Sequence, residues 1–98
     1  PWSVMDDARL KKLRFRAWHR GFREADLILG PFADAHLPRL SADQLDAFEA
    51  LIEQPDPALY AWIIGSLPTP EAFDGEVLDL IRSFRFFAHT VLGADHGG

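Results

Sequence analysis

The sequence predicts an all-α protein, a compact five-helix bundle in a single domain. Three observations carry this expectation. Apolar residues recur three and four positions apart along most of the chain, which gathers them on one stripe of a helix. Caps, prolines and glycines cut that pattern into five pieces. No segment shows the Val-, Ile- and Thr-rich alternation of a strand, and no internal repeat or low-complexity run occurs.

The first helix is expected to start near Ser3 or Asp6, both acceptable N-caps. Leu10, Leu13, Ala17 and Trp18 make its apolar stripe, with Arg and Lys on the other side. Gly21 interrupts the pattern, as glycine does at a turn or a close approach. A second helix takes up near Phe22, with Ala25, Ile28, Leu29 and Phe32 on one stripe. Gly30-Pro31 falls inside it. Proline lacks the amide donor and crowds the preceding turn, so a kink or break is expected there, with the helix over by Pro38.

Ser41 and Gln44 have the spacing of a capping box, and Leu40 and Leu45 sit at staple positions. They predict a third helix with Leu45, Phe48, Leu51 and Ile52 inward, closed by Pro55. Asp56-Pro57 reads as a cap followed by proline at the first helical position. The short fourth helix then carries Leu59, Tyr60, Trp62, Ile63 and Ile64 and stops at Gly65. After the connector Leu67-Pro68-Thr69-Pro70, Asp74 is the expected cap of the last helix, with Phe73 and Leu78 at staple spacing. Val77, Leu80, Ile81, Phe84, Phe87 and Val91 form that helix's stripe. Gly93 is its expected stop, so the domain spans 1–93 and residues 94–98 are a mobile tail. Short connections favour antiparallel neighbours, and eight phenylalanines and three tryptophans supply much of the core.

At 98 residues the chain is one domain's worth, able to bury a real core with modest stability. The absence of cysteine excludes disulfides, thiolate metal sites and a cysteine nucleophile. No apolar run approaches the roughly 20 residues a membrane span needs, and no basic-then-apolar signal segment opens the chain. It begins Pro1-Trp2 rather than with Met, so a removed targeting peptide stays open. Net charge is −5 but unevenly placed. Residues 1–24 hold seven Lys and Arg against three acids, net +4, and the rest hold three Arg against twelve acids, net −9. That pattern suggests one basic surface on an acidic body. Phosphates would repel the body, so a protein partner with carboxylates fits better than nucleic acid.

Few residues point to catalysis. His19, His36, His89 and His96 include no pair at the i,i+3 or i,i+4 spacing of a helical metal site, so no metal is expected. The acids Asp26, Asp34, Asp43, Asp46, Glu49 and Glu53 read as solvated faces. Phosphate loop, Walker lysine and nucleophile elbow are all absent. Trp18, Tyr60 and Trp62 could stack on a flavin or nucleobase, although aromatics at helical spacing more often pack a core. Tyr60 and Trp62 lie two apart on a short helix, so both cannot face fully inward, which leaves one available to a partner.

The run Arg20-Gly21-Phe22-Arg23-Glu24 stands apart, with the basic first helix leading into it. Arg20 and Glu24 could be a simple exposed i,i+4 pair. Alternatively, glycine beside a long cation lets another backbone come close while the guanidinium grips a carboxylate in two places. The residues alone leave these two readings balanced.

The longer run Arg16-Ala17-Trp18-His19-Arg20-Gly21-Phe22-Arg23-Glu24-Ala25-Asp26-Leu27 resembles the Arg-Gly-x-x-Glu signature of the succinate dehydrogenase assembly factor 2 / SdhE family. The resemblance continues through Phe32-Ala33, Leu40-Ser41 with Leu45, Asp56-Pro57-x-Leu59-Tyr60-x-Trp62, Pro68-x-Pro70, and Leu78 to Phe84. It covers roughly residues 8 to 87. It implies a five-helix factor that promotes covalent attachment of FAD to the flavoprotein subunit of succinate dehydrogenase, and in some bacteria of fumarate reductase. The histidine that receives FAD belongs to the partner, so this chain is expected to bind no cofactor stably and to act as an assembly factor rather than an enzyme.

By that resemblance Arg20, Gly21 and Glu24 are expected at the partner interface, with Asp26, Arg16, Tyr60 and Trp62 added as partner-binding residues. Arg20 would engage a partner acceptor, Gly21 would permit close approach, and Glu24 would orient Arg20 or accept a partner donor. A monomer or weak homodimer is expected in isolation, without membrane insertion. The expected compartment is the cytoplasm for a bacterial member or the mitochondrial matrix for a eukaryotic one. Two other readings remain: a small antitoxin or regulatory module with a different partner, and an enzyme that binds and transfers FAD itself.

Overall fold

A glycine-to-tryptophan contact sets how the first two helices meet. The computed structural model describes residues 4–91, with side chains from 7 to 85. Helix α1 (Val4–Trp18) ends on Trp18, whose indole lies over Gly30 in the middle of α2 (Arg23–His36). A β-carbon at Gly30 would stand 2.3 Å from the ring. The missing side chain is therefore what lets the indole lie flat, and its Nε1–H donates to Asp34 one turn further along, at 3.2 Å.

The same glycine explains why α2 does not break. The expected interruption at Gly30-Pro31 is absent, and α2 runs unbroken to His36. Proline normally drives the preceding residue out of helical conformation by crowding its β-carbon, and Gly30 has none. The carbonyl that loses its donor belongs to Leu27, which is 56% exposed, where water can satisfy it.

The remaining elements follow in order. A 3-10 turn (Leu37–Arg39) leads to α3 (Ala42–Ile52) and α4 (Asp56–Ile64); a second 3-10 turn (Glu71–Phe73) precedes α5 (Glu76–Val91). Among the described residues there are five α-helices and no strand, as the periodicity predicts. The capping box forms with both bonds: Gln44 N–H donates to Ser41 Oγ, and Ser41 N–H donates to Gln44 Oε1. Gln44 Nε2 also donates to Glu76 Oε1 at 2.6 Å, joining the start of α3 to the start of α5. Gly65 closes α4 in the left-handed region at φ 80°, as its position predicts.

Three boundaries differ from expectation. Asp6 lies inside α1 rather than capping it. Asp56 is the first residue of α4 and Pro55 occupies the cap. Asp74 closes the second 3-10 turn, so α5 begins two residues later at Glu76. Arg82 of α5 ties the connector that precedes this turn to the end of α4: its guanidinium donates to the Trp62 carbonyl and to Thr69 Oγ1. The expected Ser3 cap, the Gly93 stop, the tail, and the side chains of Phe87 and Val91 lie outside the described residues.

Helix α2 is central, packing on α1, α4 and α5. Its Phe32 is fully buried, with Phe48 of α3 and Phe84 of α5 both 5.8 Å away between ring centroids. Leu13, Leu29, Leu37, Leu59, Leu78 and Ile81 complete the centre.

Gly30→Ala is expected to cost about 1–3 kcal/mol in urea unfolding, because the new methyl overpacks against the indole. In a Trp18→Ala background most of that loss should disappear. Equal losses in both backgrounds would show that the indole contact does not require the glycine.

Candidate partner-binding site

The site is built where the loop joining α1 and α2 meets the turn joining α3 and α4. Gly21 supplies the bend. Its φ of +83° lies in the left-handed region that side chains disfavour, and the space around it is open. Within this chain the glycine is needed for the turn itself, not for a close neighbour. Phe22, in extended conformation, precedes the first turn of α2 and sets its ring edge-on to Tyr60 of α4 at 5.1 Å.

Asp26, in the first turn of α2, folds back over that loop. Its Oδ1 accepts the backbone N–H of Arg20 at 2.8 Å, while its own N–H donates to the Phe22 carbonyl. The loop is thereby fastened to the helix it precedes. Asp26, expected at the partner interface, has its carboxylate engaged inside the chain.

Arg20 fastens the other side. Its side chain is only 8% exposed. Nε donates to Asp56 Oδ1 at 2.6 Å, and Nη2 lies at the same distance from that oxygen. Nη2 also donates to the Gln54 carbonyl at 2.8 Å, and Nη1 donates to the Ile52 carbonyl. These two carbonyls lie at the C-terminal end of α3, where orphan acceptors need donors and a cation is favoured. Two nitrogens of the guanidinium therefore converge on one carboxylate oxygen, and the carboxylate is Asp56 of the same chain.

Within the chain Asp56, and not Glu24, orients Arg20. Arg20 is a positioning residue that ties two loops together. Glu24 makes no contact with it among the described hydrogen bonds and ion pairs, and stands exposed in the first turn of α2 beside exposed Arg23. Asp56 was legible only as a helix start, because nothing in one sequence pairs it with a residue 36 positions away.

Other expected site residues divide between surface and core. Tyr60 is half-buried against Phe22. Trp62 is only 6% exposed and stacks on Phe73 at 5.3 Å, so it belongs to the core and not to a docking surface. Helix α4 buries Leu59, Ala61, Trp62 and Ile63, which leaves Tyr60 and Ile64 as its outer edge. Arg16 is half-buried with Nη1 4.0 Å from Glu49 Oε2. Glu49 and Asp46 also take Arg9, at 3.0 and 2.8 Å. The Asp46 hydrogen bond, opposed by partial burial and aided by Glu49, raises the Arg9 pKa above its ordinary value. Arg9, Arg16 and Arg20 of the basic segment are thus directed onto acids of α3 and α4, while Arg23 stays exposed.

The model for the family described as flavinator of succinate dehydrogenase matches residues 11–85, which include the whole loop and its anchoring turn. The chain belongs to this family. It is 44% identical over 64 residues to the FAD assembly factor SdhE of Acetobacter pasteurianus, covering 65% of this chain and 59% of that protein. To the mitochondrial succinate dehydrogenase assembly factor 2 of Dictyostelium discoideum it is 40% identical over 72 residues, 74% of this chain and 51% of that protein. The FAD assembly factor SdhE of Legionella pneumophila is 37% identical over 79 residues, 81% of this chain and 98% of that protein. The chain thus spans between half and two thirds of the first two relatives and nearly all of the third. In this chain Arg20 and Gly21 shape the loop, and Glu24 stands exposed just beyond it.

Arg20→Ala should lower stability by about 3 kcal/mol in urea unfolding, since two carbonyls and Asp56 lose their donor in a largely buried position. Asp56→Asn keeps an acceptor oxygen but loses its charge, and should cost about 1 kcal/mol. A surface-sized loss for Arg20→Ala, below about 0.5 kcal/mol, would exclude the latch.

Proposed function

We propose that this chain is an FAD assembly factor that binds the flavoprotein subunit of succinate dehydrogenase and promotes covalent attachment of FAD to it. Fumarate reductase, whose flavoprotein subunit poses the same chemical problem, is a second client of the same kind. The chain performs no bond-making step itself. It holds the partner in a conformation in which the partner's own histidine and FAD react, and then leaves. FAD is carried by the partner, and this chain binds it only through that complex.

The observation that supports this reading most directly is the geometry of the motif within the family match. Arg20, Asp26 and Gly21 fix a short loop whose outward side carries Glu24 and Arg23 at the start of α2. A rigid, charged edge of that kind suits recognition, because the ordering cost of the loop is met on folding rather than on binding. The described residues include no helix long and apolar enough to cross a membrane. A factor working on a subunit before its assembly operates wherever that subunit is made or imported: the cytoplasm in a bacterium, the matrix in a mitochondrion.

Co-expression with the flavoprotein subunit, scored by covalent flavin fluorescence in denaturing gels, tests this function. Glu24→Ala should reduce flavinylation about fivefold or more at unchanged stability, and Gly21→Arg should reduce it further by straining the loop. Wild-type levels of flavin with both variants would sink the proposed interface. Titration of FAD with the isolated chain should leave flavin fluorescence unchanged; saturable quenching would favour a flavin-transferring protein instead.

A further inference from the structure

Beside the motif loop, α1 carries an exposed ridge that folding does not use. Phe15 is 63% exposed, the most exposed large apolar side chain among the described residues. The His19 ring stacks on it, centroids 4.1 Å apart and planes 19° from parallel. His19 Nδ1 lies 2.8 Å from the Phe15 carbonyl. A carbonyl can only accept, so Nδ1 carries the hydrogen and Nε2 is the ring's remaining polar atom. The pair is therefore held in place before anything binds. Lys11 and Lys12 lie one turn earlier on the same ridge and are exposed. Neither has an ion-pair partner among the described residues, whereas Arg9, Arg16 and Arg20 all do.

The ridge is continuous with the motif. Phe15, Arg16, His19 and Arg20 line one wall of a shallow depression, and the turn from Glu53 to Asp56 lines the other. Two cations and a preorganised aromatic pair thus extend the surface already assigned to the partner.

We propose that the flavoprotein subunit docks on this ridge through an acidic segment that lays an apolar side chain over Phe15. This rests on the functional reading above and names the chemistry of its contact. An exposed aromatic that becomes desolvated at the centre of an interface is a hot-spot anchor. Lys11 and Lys12, which form no ion pair among the described residues, attract carboxylates of the partner and accelerate encounter. The rest of the molecule is net acidic, so an acidic partner surface is admitted at this segment and repelled elsewhere.

The test is titration of the purified flavoprotein subunit, prepared without covalent flavin, by isothermal calorimetry at low and high salt. Phe15→Ser should weaken binding about tenfold or more with no change in the urea midpoint. The double variant Lys11→Glu, Lys12→Glu should weaken it at low salt and flatten the salt dependence. Leu67→Ser removes a comparably exposed apolar side chain from the α4–α5 connector and should bind as wild type does. If wild type binds and Phe15→Ser binds equally well, or if Leu67→Ser weakens binding as much, the ridge is not the docking surface and the functional reading stands. If wild type does not bind the subunit, both fall.

Discussion

A guanidinium removed from water must find acceptors for its donors, or it destabilises the state that buries it. Arg20 finds three within the chain, one carboxylate and two carbonyls, and each lies on the turn between α3 and α4. The loop after α1 has its shape because of that engagement. Gly21 provides a backbone angle that brings the chain round, and Asp26 holds the amide of Arg20 from the opposite side. Remove the guanidinium and the loop loses its only bond to the second half of the molecule among the described hydrogen bonds from Arg20 through Phe22. The exposed edge that carries Glu24 thus follows a loop fixed from inside the chain.

The charge asymmetry acquires a different meaning in this light. A basic opening segment and an acidic remainder look, in the sequence, like a surface prepared for another molecule. Most of the complementarity is internal: Arg9 meets Asp46 and Glu49, Arg16 approaches Glu49, and Arg20 meets Asp56. These three arginines, with planar forks suited to carboxylates and carbonyls, serve the fold, while Arg23 stays outside. The lysines, compact and strongly hydrated, stay outside.

Much of the fold was legible because it rests on local signals. The Ser41–Gln44 capping box, the Gly65 stop and the buried stripes through Phe32, Phe48 and Ile81 all depend on residues within a few positions of one another. Gly30-Pro31 misled because proline's usual effect is exerted on a β-carbon that glycine lacks, and because the reason for that glycine, the Trp18 ring, lies twelve residues back in the chain. At the site, the motif drew attention to the right loop, while the role of Arg20 was hidden. Its partner Asp56 reads locally as a helix start, and a contact across 36 residues leaves no mark on a single sequence. Trp62 went to the core for a comparable reason: a short helix enclosed on most sides gives its aromatics no polar face to signal direction.

The long reach of the Arg20–Asp56 bond also bears on when the surface comes into being. Closing a loop of that length carries an entropic cost that must be met before the bond can form, whereas α2's own turns can form early. During synthesis the motif leaves the ribosome well ahead of Asp56, and it must wait for α3 and the start of α4 to be in place. A nascent or partly unfolded copy has the recognition residues but not their arrangement. On the proposed function the fold is then a checkpoint on itself: only a finished molecule presents the edge assigned to the client, and an incomplete one does not compete for it.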